Sequence, residues 1–301
     1  MNLQEQLQAA NRARRFFERQ PYQSFEWEIE KQILREERVI KTSTGNTRVL
    51  IYVPLDSIVP PYPVYVHFHG GGFVLGKAEM DDFYCRIVAG GAACLVVNVD
   101  YHLAPEHKFP AQLEEGYDVI DWLYKNPGAL NIRREHIAIG GFSAGGNMAA
   151  AICLLAKERK DFSLIHQILG YPLLDLCTDP FEKKTVQGKP VITPEMATFF
   201  SACYLKSRED ACLALASPVL ARDLTGLPPA CVITAEYDVL AVEGEQYALK
   251  LRQAGVPVVY KNYKGCDHIF TAYGPEEAAK DAFDLICAEL RNAFAGKKRS
   301  K

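Results

Sequence analysis

The stretch Ile137-Ala138-Ile139-Gly140-Gly141-Phe142-Ser143-Ala144-Gly145-Gly146-Asn147 decides how the rest of this chain is read. Ile137 to Ile139 has the short apolar pattern of a buried strand, and Ala144 to Lys157 has that of a helix. Between them lies Gly-x-Ser-x-Gly. A strand that turns sharply into a helix holds the serine in a strained conformation, and glycines at Gly141 and Gly145 let neighbouring backbone approach closely. The helix beginning after Ser143 presents unpaired N–H groups and the positive end of its dipole to developing negative charge. The pattern alone arises by chance about once in ten chains of this length and glycine content. Its setting between strand and helix gives it weight, and Ser143 is the candidate nucleophile.

Working outward, short apolar runs alternate with helical patterns. Strands are expected at Pro63 to Phe68, Leu95 to Val99, Ile165 to Leu169, Ala230 to Thr234 and Val256 to Tyr260. Helices are expected at Asp82 to Ala92, Leu113 to Tyr124, Glu243 to Ala254 and Glu276 to Ala293. This alternation predicts an α/β fold with a mostly parallel central sheet covered by helices on both faces. Function should gather at the carboxyl ends of its strands. A hairpin precedes the alternation, from Arg38 to Lys41 and Val49 to Val53, turning at Thr44-Gly45-Asn46.

Two regions fall outside the alternation. Residues 1–40 are expected to form N-terminal helices, and residues 176–216 an insertion containing a helix from Pro194 to Phe200. Together they should form a helical cap over a core of residues 41–175 and 217–296, with 297–301 a disordered basic tail.

Upstream of the elbow, His69-Gly70-Gly71-Gly72-Phe73 follows the strand that ends at Phe68. Consecutive glycines leave backbone N–H groups free to point into a cavity, as a tetrahedral intermediate requires. Gly71, Gly72 and Ala144 are the candidate oxyanion donors. By composition this tetrad arises by chance about twice in a thousand chains. His67 and His69 would share a face of an extended strand, but no further ligand cluster accompanies them, and no metal or other cofactor is expected.

Downstream of Ser143 only His166 and His268 could serve as base. His166 starts a core strand and is expected to be structural. His268 lies in a turn after the last strand, where it can reach over the strand ends. Asp238, after the preceding strand, can fix the imidazole tautomer. Glu236 is the runner-up, whereas Asp267 adjoins His268 and should diverge from its ring.

Composition bounds the partners. Of 301 residues, 49% are hydrophobic and 24% charged, the balance of a soluble globular chain. A net charge of −3 gives no nucleic-acid surface. No apolar stretch reaches membrane-spanning length and no secretory leader is visible, so the expected location is cytoplasmic, without membrane partners. The nine scattered cysteines read as buried thiols in a reducing compartment. Assembly state is left open, a homodimer included.

These residues carry a likeness. From about Pro63 to the last helix the chain resembles the hormone-sensitive lipase family of the α/β-hydrolase superfamily, in its bacterial esterase branch. The matching blocks are His69-Gly70-Gly71-Gly72-Phe73, Tyr101-His102-Leu103-Ala104-Pro105-Glu106-His107 with Phe109-Pro110-Ala111, the elbow Ser143-Ala144-Gly145-Gly146-Asn147, Ser217-Pro218-Val219-Leu220-Ala221, and Asp238-Val239-Leu240. The resemblance implies a triad of Ser143, Asp238 and His268, an oxyanion hole of Gly71, Gly72 and Ala144, and hydrolysis of a small-molecule carboxylic ester through an acyl-enzyme. It also implies a cap over an α/β core. An amidase or lactonase with the same triad, or a non-catalytic receptor on the same fold, are the alternatives. Three positions depart from the family pattern: Phe142 replaces the usual Asp, His102 a common Arg, and Ile269 the usual Gly. The first loses a carboxylate, the second threatens an ion pair, and the third narrows the pocket.

Overall fold

The computed structural model describes residues 1–19, 25, 27, 32–56, 58–184, 186 and 190–296. The chain opens with helix α1 (Leu3–Glu18), started by a reciprocal cap. The Asn2 side chain accepts from the Glu5 N–H at 3.0 Å, and the Glu5 carboxylate accepts from the Asn2 N–H at 2.9 Å. Strands β1 (Ile33–Thr42) and β2 (Gly45–Pro54) then pair as an antiparallel hairpin across Ser43 and Thr44.

The alternating region follows as β3 (Tyr62–Phe68), α2 (Asp82–Ala92), β4 (Leu95–Asp100), α3 (Ala111–Lys125), β5 (Ile132–Phe142), α4 (Ala144–Arg159) and β6 (His166–Gly170). After the insertion, which holds α5 (Pro194–Tyr204), come β7 (Ala230–Ala235), α6 (Ala241–Gln253), β8 (Val258–Tyr263), the single-turn α7 (Phe270–Tyr273) and α8 (Glu276–Phe294). The strands make one sheet in the order β1-β2-β4-β3-β5-β6-β7-β8. All neighbours from β4 onward in that order are parallel, and β2 meets β4 antiparallel. This is the α/β fold, with its mostly parallel sheet, that the alternation predicts.

Two cores flank the sheet because successive side chains of a strand point to opposite faces. Val64, Val66 and Phe68 join Ile137 and Ile139 in the layer containing α3, α4 and α6. Tyr65 and Ala138 join the other layer, with α2 and α8. The apolar half of β5 was readable, but the strand begins five residues earlier. Arg133, Arg134, Glu135 and His136 are not buried and hide that start from an apolar count.

Two expectations need correction. Residues 1–40 are not all helical: β1 begins at Ile33, and α1 is the only helix among the described residues there. Ile33–Thr42 pairs edge to edge with β2; its second half contains the expected hairpin strand Arg38 to Lys41, while exposed charge at Arg35, Glu36 and Glu37 masked its start as a polar helix-prone stretch. The cysteines are not all thiols, since Cys177 and Cys212 form a disulfide across a separation of 35 residues. The other seven form no disulfide and are buried. The disulfide joins the two ends of the insertion, which approach only when it folds back on itself, and it removes the cysteine argument for a reducing compartment. The expected tail at 297–301 lies outside the described residues. No helix among the described residues is long and apolar enough to cross a membrane.

Candidate active site

The four segments singled out in the sequence emerge from the carboxyl ends of parallel strands. Gly70 to Gly72 follow β3, Ser143 follows β5, Asp238 follows β7, and His268 follows β8. Ser143 has φ 56° and ψ −118°, a conformation that costs energy for a residue with a side chain. Its surroundings hold it there: its N–H donates to the Gly170 carbonyl at 2.9 Å, and its own carbonyl accepts from Asn147 at 3.1 Å and Leu173 at 3.2 Å. A Cβ on Gly145 would fall on the Phe68 carbonyl, so glycine is required at this crossing.

His268 lies between the other two candidates. Its Nδ1 is 2.6 Å from Asp238 Oδ2 and its Nε2 is 2.9 Å from Ser143 Oγ. All three residues are buried. Asp238 Oδ1 accepts the Leu240 N–H at 2.9 Å, which fixes the carboxylate at the head of α6. The competing acids are engaged elsewhere. Glu236 accepts from the Gly265 N–H at 2.9 Å and from Lys264 at 3.0 Å. Asp267 accepts the N–H groups of His268 and Val191 and does not reach the ring. His166 is buried 4.0 Å from Glu289, far from the site in its role as the first residue of β6.

Gly71 and Gly72 both have positive φ, 116° and 61°. A Cβ at Gly72 would lie 2.5 Å from the Phe200 ring of α5, so the loop is sealed by the insertion. The His69 carbonyl accepts from Tyr101 Oη at 2.9 Å, and the two rings stack at 4.3 Å. His67 turns elsewhere, placing Nε2 2.7 Å from Asp81 Oδ2. Gly71, Gly72, Ser143 and His268 open onto a cavity of about 160 Å³, walled by Phe17 of α1, Phe200 of α5, Ile269 and Leu240. Gln6 of α1 donates to the Ala202 carbonyl of α5 at 2.9 Å, so the two regions outside the alternation meet above the strand ends.

A model of the alpha/beta hydrolase fold family matches residues 65–272, more than two thirds of the sequence. The chain belongs to the α/β-hydrolase family. It is similar to an arylesterase of Saccharolobus solfataricus, 34% identical over 269 residues, covering 85% of this chain and 86% of the relative. It is likewise similar to a carboxylesterase of Mycobacterium tuberculosis, 34% identical over 274 residues and covering 87% and 85%. Among solved structures, an esterase of Pyrobaculum calidifontis superposes with a TM-score of 0.80 at 34% identity, over 97% of this chain and 93% of the other. A thermostable esterase of Pseudomonas putida reaches 0.86 at 31% identity, over 95% and 90%. These neighbours place the hydrolase in the hormone-sensitive-lipase-like branch.

The three departures have physical answers in this hydrolase. Phe142 packs its ring against Tyr84 at 5.4 Å and Tyr171 at 5.2 Å, and a Cβ on Gly170 would strike it. An aromatic contact thus occupies the space of the missing carboxylate. The ion pair feared lost at His102 has a substitute: His102 Nδ1 is 2.7 Å from the buried Glu115, whose other oxygen accepts the His102 N–H at 2.9 Å. Ile269 keeps the left-handed backbone that glycine favours, with φ 63°, and its side chain narrows the cavity.

Sequence reasoning missed the pair Lys183–Glu243. Glu243 is buried at the start of α6, accepts N–H groups of Leu174 at 2.6 Å and Asp175 at 3.1 Å, and meets the Lys183 ammonium. Lys183 thereby ties the insertion to α6, the helix that follows Asp238. Burial pushes the Glu243 carboxyl up to about 7. Nothing in a spacing of 60 residues signals such a pair.

Proposed function

We propose that this hydrolase cleaves carboxylic esters of small substituents by a two-step acyl transfer, with Ser143 as nucleophile, His268 as base and Asp238 as its orienter. The observation that carries the reading is the unbroken chain from Asp238 through His268 to Ser143, 2.6 and 2.9 Å, at the wall of an apolar cavity. With its proton on Nδ1, facing Asp238, His268 offers an Nε2 lone pair to the Ser143 hydroxyl. Ser143 Oγ attacks the ester carbonyl as its proton passes to Nε2, and the carbonyl oxygen becomes an oxyanion. Gly71, Gly72 and Ala144 would donate to it through their N–H groups, each donor being worth roughly 3 kcal/mol of barrier in such sites.

The imidazolium then protonates the leaving alcohol, which departs as the tetrahedral intermediate collapses to an acyl-enzyme. Water, deprotonated by the same ring, adds to the acyl carbonyl, and collapse returns Ser143 Oγ its proton and releases the acid. The esterase names of relatives and structural neighbours support the same chemistry. The cavity size supports small substituents: an apolar cavity of about 150 Å³ takes a benzene-sized group. We further propose that α1 and residues 176–216 act as one cap, supported by their shared place in the cavity wall.

The test is hydrolysis of p-nitrophenyl esters of graded acyl length, run beside matched anilides. Turnover of short esters, with stoichiometric phosphonate labelling that Ser143→Ala abolishes, is the expected result. Faster cleavage of the anilides would favour an amidase, and labelling that survives Ser143→Ala would overturn the assignment of the nucleophile.

A further inference from the structure

Beside the ester cavity lies a second, more open one of about 900 Å³. It runs between α1 and the loop at His102 to His107, and Arg14, Lys77 and Glu106 give it a polar lining. Two side chains belong to both spaces: Phe17 and Met80 line the ester cavity and the more open one alike. They are the two residues common to both linings and so mark where one space gives way to the other.

This boundary is held from both ends. Phe17 lies one turn beyond Arg14 on the same helix face. Arg14 grips the core with two contacts to the Glu106 carboxylate, 2.7 and 2.8 Å, and one each to the carbonyls of Val74 and Ala104, 2.9 and 2.8 Å. The Phe17 ring is therefore placed by a fixed stretch of α1. Met80 sits in a short turn, Ala78–Asp81, that is pinned on either side. The Ala78 N–H donates to Asp100 at 2.8 Å, Asn98 donates to the Ala78 carbonyl at 2.7 Å, and Asp81 is bonded to His67. Its backbone is fixed, while the thioether chain is the deformable part of the wall.

We propose that Phe17 and Met80 are specificity-determining residues of this hydrolase, setting the longest ester substituent that the ester cavity accepts. A benzene-sized group fits a space of the observed size, and a longer chain must displace the Met80 side chain or remain outside. The open cavity is the room such a chain would enter. The inference rests on the ester-hydrolase reading and deepens it.

The experiment measures kcat/KM for two series, acyl esters of p-nitrophenol from acetate to decanoate and acetates of alcohols of rising length. The parent is compared with Met80→Ala, which opens the wall, Met80→Phe, which thickens it, and Phe17→Ala. In the series whose variable group occupies the cavity, the parent falls off steeply beyond hexyl length. In that series Met80→Ala should raise the ratio of ten-carbon to two-carbon turnover by about tenfold or more, and Met80→Phe should lower the ratio of six-carbon to two-carbon. If Phe17→Ala loosens α1, the two Met80 variants still decide. Profiles of both Met80 variants parallel to the parent in both series would overturn this role while leaving the esterase reading intact. A parent that turns over no ester would overturn both.

Discussion

Two buried histidine–aspartate pairs lie close to the nucleophile elbow, and they are wired in opposite senses. His268 gives Nδ1 to Asp238 at 2.6 Å and leaves Nε2, at the far end of the ring, 2.9 Å from Ser143 Oγ. His67 gives Nε2 to Asp81 at 2.7 Å and leaves Nδ1 facing the Tyr65 hydroxyl at 3.3 Å. Burial pushes the Tyr65 phenol well up, so it stays protonated beside that nitrogen. Both pairs have the groups for base catalysis. The difference is which ring nitrogen is left over and what it faces: a serine at the cavity wall in one case, a closed core hydroxyl in the other. A His–Asp contact therefore says little about chemistry until its third member is known.

The comparison breaks most visibly at Ser143. Ser143→Ala should lower kcat on p-nitrophenyl acetate by about 10⁶-fold with little change in thermal midpoint, and a residual rate within a hundredfold of the parent would remove Ser143 from the mechanism. Asp238→Asn should lower kcat by about 10⁴-fold, because the amide no longer holds the Nδ1–H tautomer. His67→Ala tests the other pair and should act on stability. It leaves the Asp81 carboxylate buried without its partner, at a cost of about 3–5 kcal/mol in a urea titration. Below the unfolding transition, kcat should stay within about tenfold of the parent, since no reacting proton crosses that ring. A larger loss in kcat than in stability would erase the distinction between the pairs.

A third acid–base pair sharpens the picture. With its carboxyl raised from 4.5 to about 7 by burial, Glu243 binds a proton more tightly folded than unfolded. Its contribution to stability is complete below about pH 4.5 and is lost as pH rises through 7. Glu243→Gln should flatten the decline in thermal midpoint between pH 5 and 8 by the order of 5 °C relative to the parent; parallel curves would show that this group does not titrate with folding. The smallest effect is expected at Ile269, beside the base. In Ile269→Gly, release of left-handed strain, about 1–2 kcal/mol, is about half offset by glycine's chain entropy, about 0.5–1 kcal/mol. Stability should move by less than about 1 kcal/mol, while turnover of branched acyl esters rises roughly threefold over straight ones. An unchanged ratio would mean that the side chain does not limit the cavity.

How much of this was legible depended on the range of the interaction. The elbow and the glycine loop could be read because their requirements are local: a positive φ at Ser143 and Gly72, and close backbone approach at Gly145. The placement of His268 and Asp238 followed from the strand ends they succeed. The inner strands were found from apolar runs and the end of β1 from the expected hairpin, whereas the starts of β1 and β5 were hidden by exposed charge. The disulfide at Cys177 and Cys212, the Lys183–Glu243 pair and the Phe17–Met80 wall left no trace in spacing. Each joins segments whose approach follows from the folding of the insertion or of α1 onto the core.

By itself, then, the amino-acid order determined an α/β sheet and the local backbone shapes at its strand ends, because periodicity and glycine placement act over a few residues. Only the tertiary structure decided which histidine nitrogen meets a serine, which cysteines pair, and where the cavity stops. Those outcomes depend on distances between side chains far apart in the chain, which no local pattern encodes.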